Sequence, residues 1–88
     1  MKITGQVLNT SIERRELVGK DGIKKEHTFA RILLLVEEDG VKCAVCVKTF
    51  DHPDYMDSAK LPPVGKPWTS PRVRRYESLD GQIAEVSV

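Results

Sequence analysis

The stretch VKCAVCVK, residues 41–48, holds both cysteines of the 88-residue chain. Two cysteines at this spacing are the usual mark of a zinc site or a redox pair. Two sulfurs converge on one ion only if the backbone between them turns tightly, and Ala44 and Val45 instead continue an alternating β-run. Along a strand, residues three apart point to opposite faces. Cys43 is therefore expected in the core and Cys46 outside it. His27 and His52 would bring the ligand count to four, yet both fall far along the strands from Cys43. The expectation is no metal and no cofactor.

Catalysis finds little support elsewhere. No GxSxG, no HExxH and no phosphate-cradling glycine loop occurs. Asp51, Asp54 and Asp57 cluster around His52 with no diagnostic spacing, and read as a solvated acidic loop. The chain is expected not to be an enzyme.

The cations are more informative. Between residues 58 and 76 there is no acidic residue, while Lys60, Lys66, Arg72, Arg74 and Arg75 stand among Trp68 and Tyr76, as in WTSPRVRRY. Arg14 and Arg15, then Lys20, Lys24 and Lys25, add two further basic groups. Cations beside aromatics are what unpaired nucleic acid requires, since the cations neutralise phosphates and the rings stack on bases. Trp68 has a second reading, because a lone tryptophan in a proline-rich segment can plug the end of a barrel.

The elements that must position these residues follow from parity and turns. Residues 1–18 form a long strand whose apolar parity switches at Val7-Leu8, the mark of a bulge or bend. Residues 19–26, GKDGIKKE, read as a flexible loop. Residues 27–38 and 41–50 flank Asp39-Gly40, the dipeptide suited to a type I′ turn. That turn pairs Glu38 with Val41 and sets the register. Val36, Leu34, Ile32 and Ala30 then face Cys43, Val45, Val47 and Thr49 to make the core face. Phe29 faces Phe50, Arg31 faces Lys48, and Leu33 and Leu35 face Cys46 and Ala44 on the other side. Phe29 and Phe50 could serve there as a stacking platform or pack beneath a loop.

All five prolines lie between residues 51 and 71, which argues against a regular strand or long helix there, although residues 54–60 could make a helical turn or two. Residues 72–78 and 82–88 then form a final hairpin around residues 78–81, pairing Val73 with Val86, Arg74 with Glu85 and Tyr76 with Ile83. Five strands with a bent first strand predict an all-β fold, a small OB-like barrel with a short Pro-rich connector between its third and fourth strands, with an SH3-like barrel as the competitor. Length allows one domain, residues 1–88. With 40% hydrophobic and 31% charged residues and a net charge of +1, the composition is that of an ordinary globular protein. No signal peptide or membrane span is expected, and a cytoplasmic setting is. The apolar outer residues Leu33, Leu35, Ala44 and Cys46 suggest a covered patch and hence a homodimer, or a protein-interaction module as the alternative function.

In layout the chain resembles the small single-stranded DNA-binding, helix-destabilising proteins of filamentous phages. The resemblance rests on IERREL, on GKDGIKKEHTF, on strands ending VEEDG and VKTF, and on the last hairpin YESLDGQIAEV. It implies an OB-type barrel that dimerises and coats single-stranded DNA, with little sequence preference, during phage or plasmid replication; the residues alone would serve single-stranded RNA as well. It also implies that Arg14 and Arg15 match the family's basic residue near the end of the first strand, Lys24 and Lys25 its basic loop, and Lys48 its third-strand lysine. The family's tyrosine positions hold His27, Thr28 and Cys43 here, with Phe29 able to take the first. The binding residues expected together are Arg14, Arg15, Lys24, Lys25, Phe29, Arg31, Lys48, Phe50, Trp68, Arg72, Arg74, Arg75 and Tyr76.

Overall fold

Alternation of apolar and polar residues over most of the chain produces strands, and the strands produce one curled sheet. The computed structural model describes residues 2–77 and 83–86, with side chains through Arg74 (Glu38 aside). The strands are β1 (Thr4–Val18), β2 (Lys24–Glu38), β3 (Val41–Phe50), β4 (Pro67–Thr69), β5 (Val73–Glu77) and β6 (Ile83–Val86). They form a single sheet in the order β4-β1-β2-β3-β6-β5, antiparallel except for the β3/β6 pair. The sheet curls into a half-barrel, so the fold is all-β and barrel-like. Its 48 Å long dimension follows from the two 15-residue strands β1 and β2, at about 3.3 Å per residue.

Asp39 and Gly40 both have positive φ, 52° and 77°, which is the type I′ geometry. The β2/β3 register runs from Glu38↔Val41 to Phe29↔Phe50 without a slip, as the turn dictates. One face carries Ala30, Ile32, Leu34, Val45 and Val47, all fully buried. Ile3, Val7 and Val73 complete the core, and Val36, Cys43, Tyr55, Leu61 and Trp68 pack against it. Burying each of the larger side chains contributes about 1.5–3 kcal/mol.

β1 changes parity where the sequence indicates. Val7 pairs with Leu34 and Asn9 with Leu33, leaving Leu8 as the extra, bulged residue. The bulge lets one strand serve two neighbours. Before it, Ile3 and Val7 are buried beside the connector; after it, Thr10 and Ile12 lie opposite Ile32 and Ala30 on the core face.

The proline-rich connector differs from expectation in one respect. It contains two short 3₁₀ turns, Pro53–Tyr55 and Ser58–Lys60, and then a sixth strand, β4, on the edge of β1. Pro67 is tolerated because it occupies the first position of an edge strand. Val7 N–H donates to the Lys66 carbonyl at 3.0 Å and Gly65 N–H to the Val7 carbonyl at 2.8 Å. Ile3 N–H donates to the buried Ser70 Oγ at 2.8 Å, and Ser70 N–H to the Ile3 carbonyl at 2.7 Å. The segment therefore meets its backbone hydrogen-bonding demand through β1 rather than solvent.

Two further corrections concern ends. The first loop covers only residues 19–23, because residues 24–26 already pair with β1, so Lys24 and Lys25 lie on β2. In the final hairpin Val73 pairs with Val86 as expected. A register shift between Val73 and Arg75 then sets Arg75, not Arg74, opposite Glu85, and Tyr76 opposite Ala84. The turn expected at residues 78–81 lies outside the described residues, as do residues 82, 87 and 88.

Candidate nucleic-acid interface

The register of β1, β2 and β3 brings together, on the face away from the core, side chains far apart in sequence. Glu13 lies opposite Phe29, Arg15 opposite His27, Phe29 opposite Phe50, and Arg31 opposite Lys48. Arg15, Phe29, Arg31, Lys48 and Phe50, with Arg74 from β5, line a concavity of about 320 Å³. Four cations and two aromatic rings thus share one surface.

The rings form a short ladder. His27 stacks on Phe50 with centroids 4.9 Å apart, and Phe50 meets Phe29 edge-on at 5.1 Å. The Arg15 guanidinium lies 5.9 Å from the centre of the Phe29 ring, within cation–π range. Phe50 remains 45% exposed, so its ring is open to a ligand. Of the two readings for these phenylalanines, the structure places Phe50 on the surface and Phe29 half-buried beside it.

Glu13 sits among the cations. Its carboxylate accepts from Arg15 Nε at 2.6 Å and from Arg31 Nη1 at 2.9 Å. These two hydrogen bonds, Arg15's first, hold its carboxyl below the usual glutamate range. One edge of the ladder is fixed by Asp51. This residue adopts a left-handed conformation, φ 47°, which an aspartate tolerates better than most side chains. The resulting turn brings its Oδ1 to Thr28 N–H at 2.7 Å and its Oδ2 to His27 Nδ1 at 2.6 Å. His27 is thereby held against Phe50. The acidic loop expected around His52 is thus a clamp at this position, with His52 itself buried and accepting from Asp54 N–H at 3.2 Å.

Other expected residues lie elsewhere. Arg14 has the opposite parity to Arg15 and reaches the Met56 carbonyl, 3.3 Å away on the core side. Lys24 shares Arg14's parity, whereas Lys25 shares that of Arg15 and His27 further out along the hairpin. Trp68 packs against the core and meets Tyr55 edge-on at 5.9 Å, apart from the concavity. Burial there, with the Asp54 charge second, raises the Tyr55 phenol above its usual range. Arg72 is exposed, and the side chains of Arg75 and Tyr76 lie outside the described residues. The acid-free window is therefore a property of the sequence, not one surface.

Cys43 packs on the core and Cys46 lies outward opposite Leu33, so the two sulfurs point to opposite faces. Burial raises the Cys46 thiol above its usual range despite the charges of Lys48 and Arg31. Leu33, Leu35 and Cys46 are half-buried and only Ala44 is exposed, so the outer apolar patch is smaller than its composition suggests. Among the described residues no three His, Cys, Asp or Glu side chains come together to hold a metal ion. Among them, too, no helix is long and apolar enough to cross a membrane.

The chain matches no family model, no curated protein and no solved structure.

Proposed function

We propose that the protein is a non-catalytic single-stranded nucleic-acid-binding protein, with single-stranded DNA as its ligand. It coats the strand with little sequence preference in the setting of phage or plasmid replication. The observation that carries this reading is the one surface on which Arg15, Arg31, Lys48 and Arg74 surround Phe29 and the exposed Phe50. Cations there meet phosphates, and the rings offer faces to unpaired bases, which a duplex hides. Low sequence preference belongs to the same proposal, since phosphate contacts carry no sequence information and every base has a face that stacks.

The test is a titration of end-labelled oligo(dT) and of a matched duplex, followed by anisotropy over a salt series. The expected result is tight single-strand binding that weakens steeply as salt rises, with duplex binding much weaker. No single-strand binding at low salt, or equal affinity for both forms, would overturn the reading.

A further inference from the structure

The hydrogen-bond phase of β1 can be followed from the hairpin end. Gly19 N–H donates to the Ile23 carbonyl at 3.0 Å, so that pair is hydrogen-bonded, and in an antiparallel ladder every second pair shares its character. Odd-numbered residues from Asn9 to Leu17 therefore direct N–H and C=O toward β2. The even-numbered ones, from Thr10 to Val18, direct theirs away. The far side of β2 agrees, since Asp51 N–H donates to the carbonyl of Thr28, an even-numbered residue, at 2.9 Å.

β4 covers the outer edge of β1 only over Thr4–Gln6, and the connector adds Val7. Thr10 N–H is taken by its neighbour, the Asn9 Oδ1, at 2.9 Å. Beyond it, the outward amides of Ile12, Arg14, Glu16 and Val18 have no backbone partner among the described residues. An open edge of this length is a template for another strand.

We propose that a second copy of this chain occupies that edge, as an antiparallel β1/β1 pairing about a two-fold axis. Charge and apolar complementarity select the register. With Arg15 at the axis, Arg14 faces Glu16 of the second copy and Ile12 faces its Val18, each pairing occurring twice. All four are outward-amide residues, so each facing pair closes two N–H···O=C bonds. A slide to the next allowed register would set Arg14 against Arg14 and Ile12 against Glu16. It would also bring Glu13 opposite Arg15, so the chosen register, with Arg15 opposite Arg15, is favoured by its two Ile12–Val18 pairs. The paired backbone runs from Ile12 to Val18, clear of the Leu8 bulge and β4. Arg14 also reaches the Met56 carbonyl of the connector at 3.3 Å, and its guanidinium has further donors for the second copy's Glu16. The two Arg15 side chains meet at the axis on the Phe29 face, each already bonded to its own Glu13 at 2.6 Å. Charged residues in a row also serve to keep sheet edges apart; the self-complementary signs at positions 14 and 16 distinguish a seam from a guard.

The experiment is sedimentation equilibrium of the nucleic-acid-free protein, which keeps it separate from the DNA-binding reading. The expected species is a dimer of the 9.9 kDa chain. Arg14→Glu and Glu16→Arg should each weaken dimerisation by roughly tenfold or more, and the double swap should restore it, since the facing charges are again opposite. Glu16→Pro removes only an outward N–H and should give a folded monomer by circular dichroism. In hydrogen exchange, the amides of Ile12, Arg14, Glu16 and Val18 should slow as protein concentration rises. A monomer at every concentration, a dimer indifferent to the single swaps, or fast exchange of those amides within a dimer would overturn the proposal.

Discussion

The Glu13 carboxylate lies 2.9 Å from the Arg31 guanidinium, on the face that also carries Phe29 and Phe50. The same carboxylate holds Arg15 from its other oxygen at 2.6 Å. In the nucleic-acid interface proposed above, a carboxylate that bridges two cations in this way takes the place of a phosphate. It orients both guanidinium groups and competes with any anionic ligand.

That competition has a direct consequence for Glu13→Gln. Removing the charge should raise affinity for oligo(dT) roughly two- to fivefold, the scale of an exposed ion pair, and steepen its salt dependence. Labelled-oligonucleotide anisotropy at several salt concentrations measures both effects. An unchanged or lower affinity would show that orientation by Glu13 outweighs its charge.

Among the described residues Phe50 is the aromatic ring most open to solvent, and base–aromatic stacking is worth about 1–3 kcal/mol per base by alanine substitution. Phe50→Ala should therefore weaken oligo(dT) binding by about tenfold or more, and lower the urea midpoint modestly because the contacts with His27 and Phe29 are lost as well. Trp68, packed against the core away from this surface, should change its emission little when the oligonucleotide binds. Strong quenching of Trp68 would relocate the site to the connector.

Asp51 makes stability depend on acid. Its carboxyl is held below the usual aspartate range, first by the hydrogen bond to His27 and second by the Thr28 N–H. The native state then binds this proton less tightly than the unfolded chain. The stability it contributes is complete above the unfolded carboxyl's pKa, about 3.9, and is lost as pH falls through the lower native value. Asp51→Asn keeps an acceptor for Thr28 but has no such titration. Urea midpoints measured from about pH 6 down to 2 should fall more steeply for the wild type than for this variant.

Gly5 sits where β1 lies between β4 and β2. A Cβ there would come within 2.6 Å of the Leu35 carbonyl oxygen, which is backbone and cannot swing aside. Gly5→Ala should cost about 1–3 kcal/mol by overpacking, read as a lower urea midpoint. Gly22→Ala tests a different cause, since an added Cβ would meet nothing within 4 Å and only the φ of 77° would strain the alanine.

The parts of the fold legible in the sequence are those governed by local rules. Asp39-Gly40 sets a two-residue turn, and the turn alone fixes ten strand pairs, including Phe29 with Phe50 and Arg31 with Lys48. Parity located the Leu8 bulge. What parity did not supply is the partner on each edge. β4 is too short and too proline-rich to show periodicity, so its seat on β1, and with it the position of Trp68, depends on tertiary hydrogen bonds. Glu13 and the Asp51 clamp were missed for a related reason. Each joins strands distant in the chain, and an acidic residue among cations has no sequence signature until the register is known. The separation of Arg14 from Arg15 was accessible, since a strand that continues after the bulge must send neighbours to opposite faces.

The single extra residue at Leu8 also gives β1 a reading frame. Odd positions face inward before it and even positions after it, so the strand is decoded in twos from a fixed start. Deleting Leu8 would remove the bulge in frame, leaving Val7 and Asn9 successive opposite Leu34 and Leu33 and every later side chain on its present face. One residue added to the regular stretch after Asn9 would instead send those beyond it to the other face. Adding two residues in the outer part of the hairpin, one on each strand, would leave every later position in frame. Lineages of this fold should thus vary in arm length by paired steps, while the count of residues between Asn9 and Arg15 is held and the bulge itself can come and go.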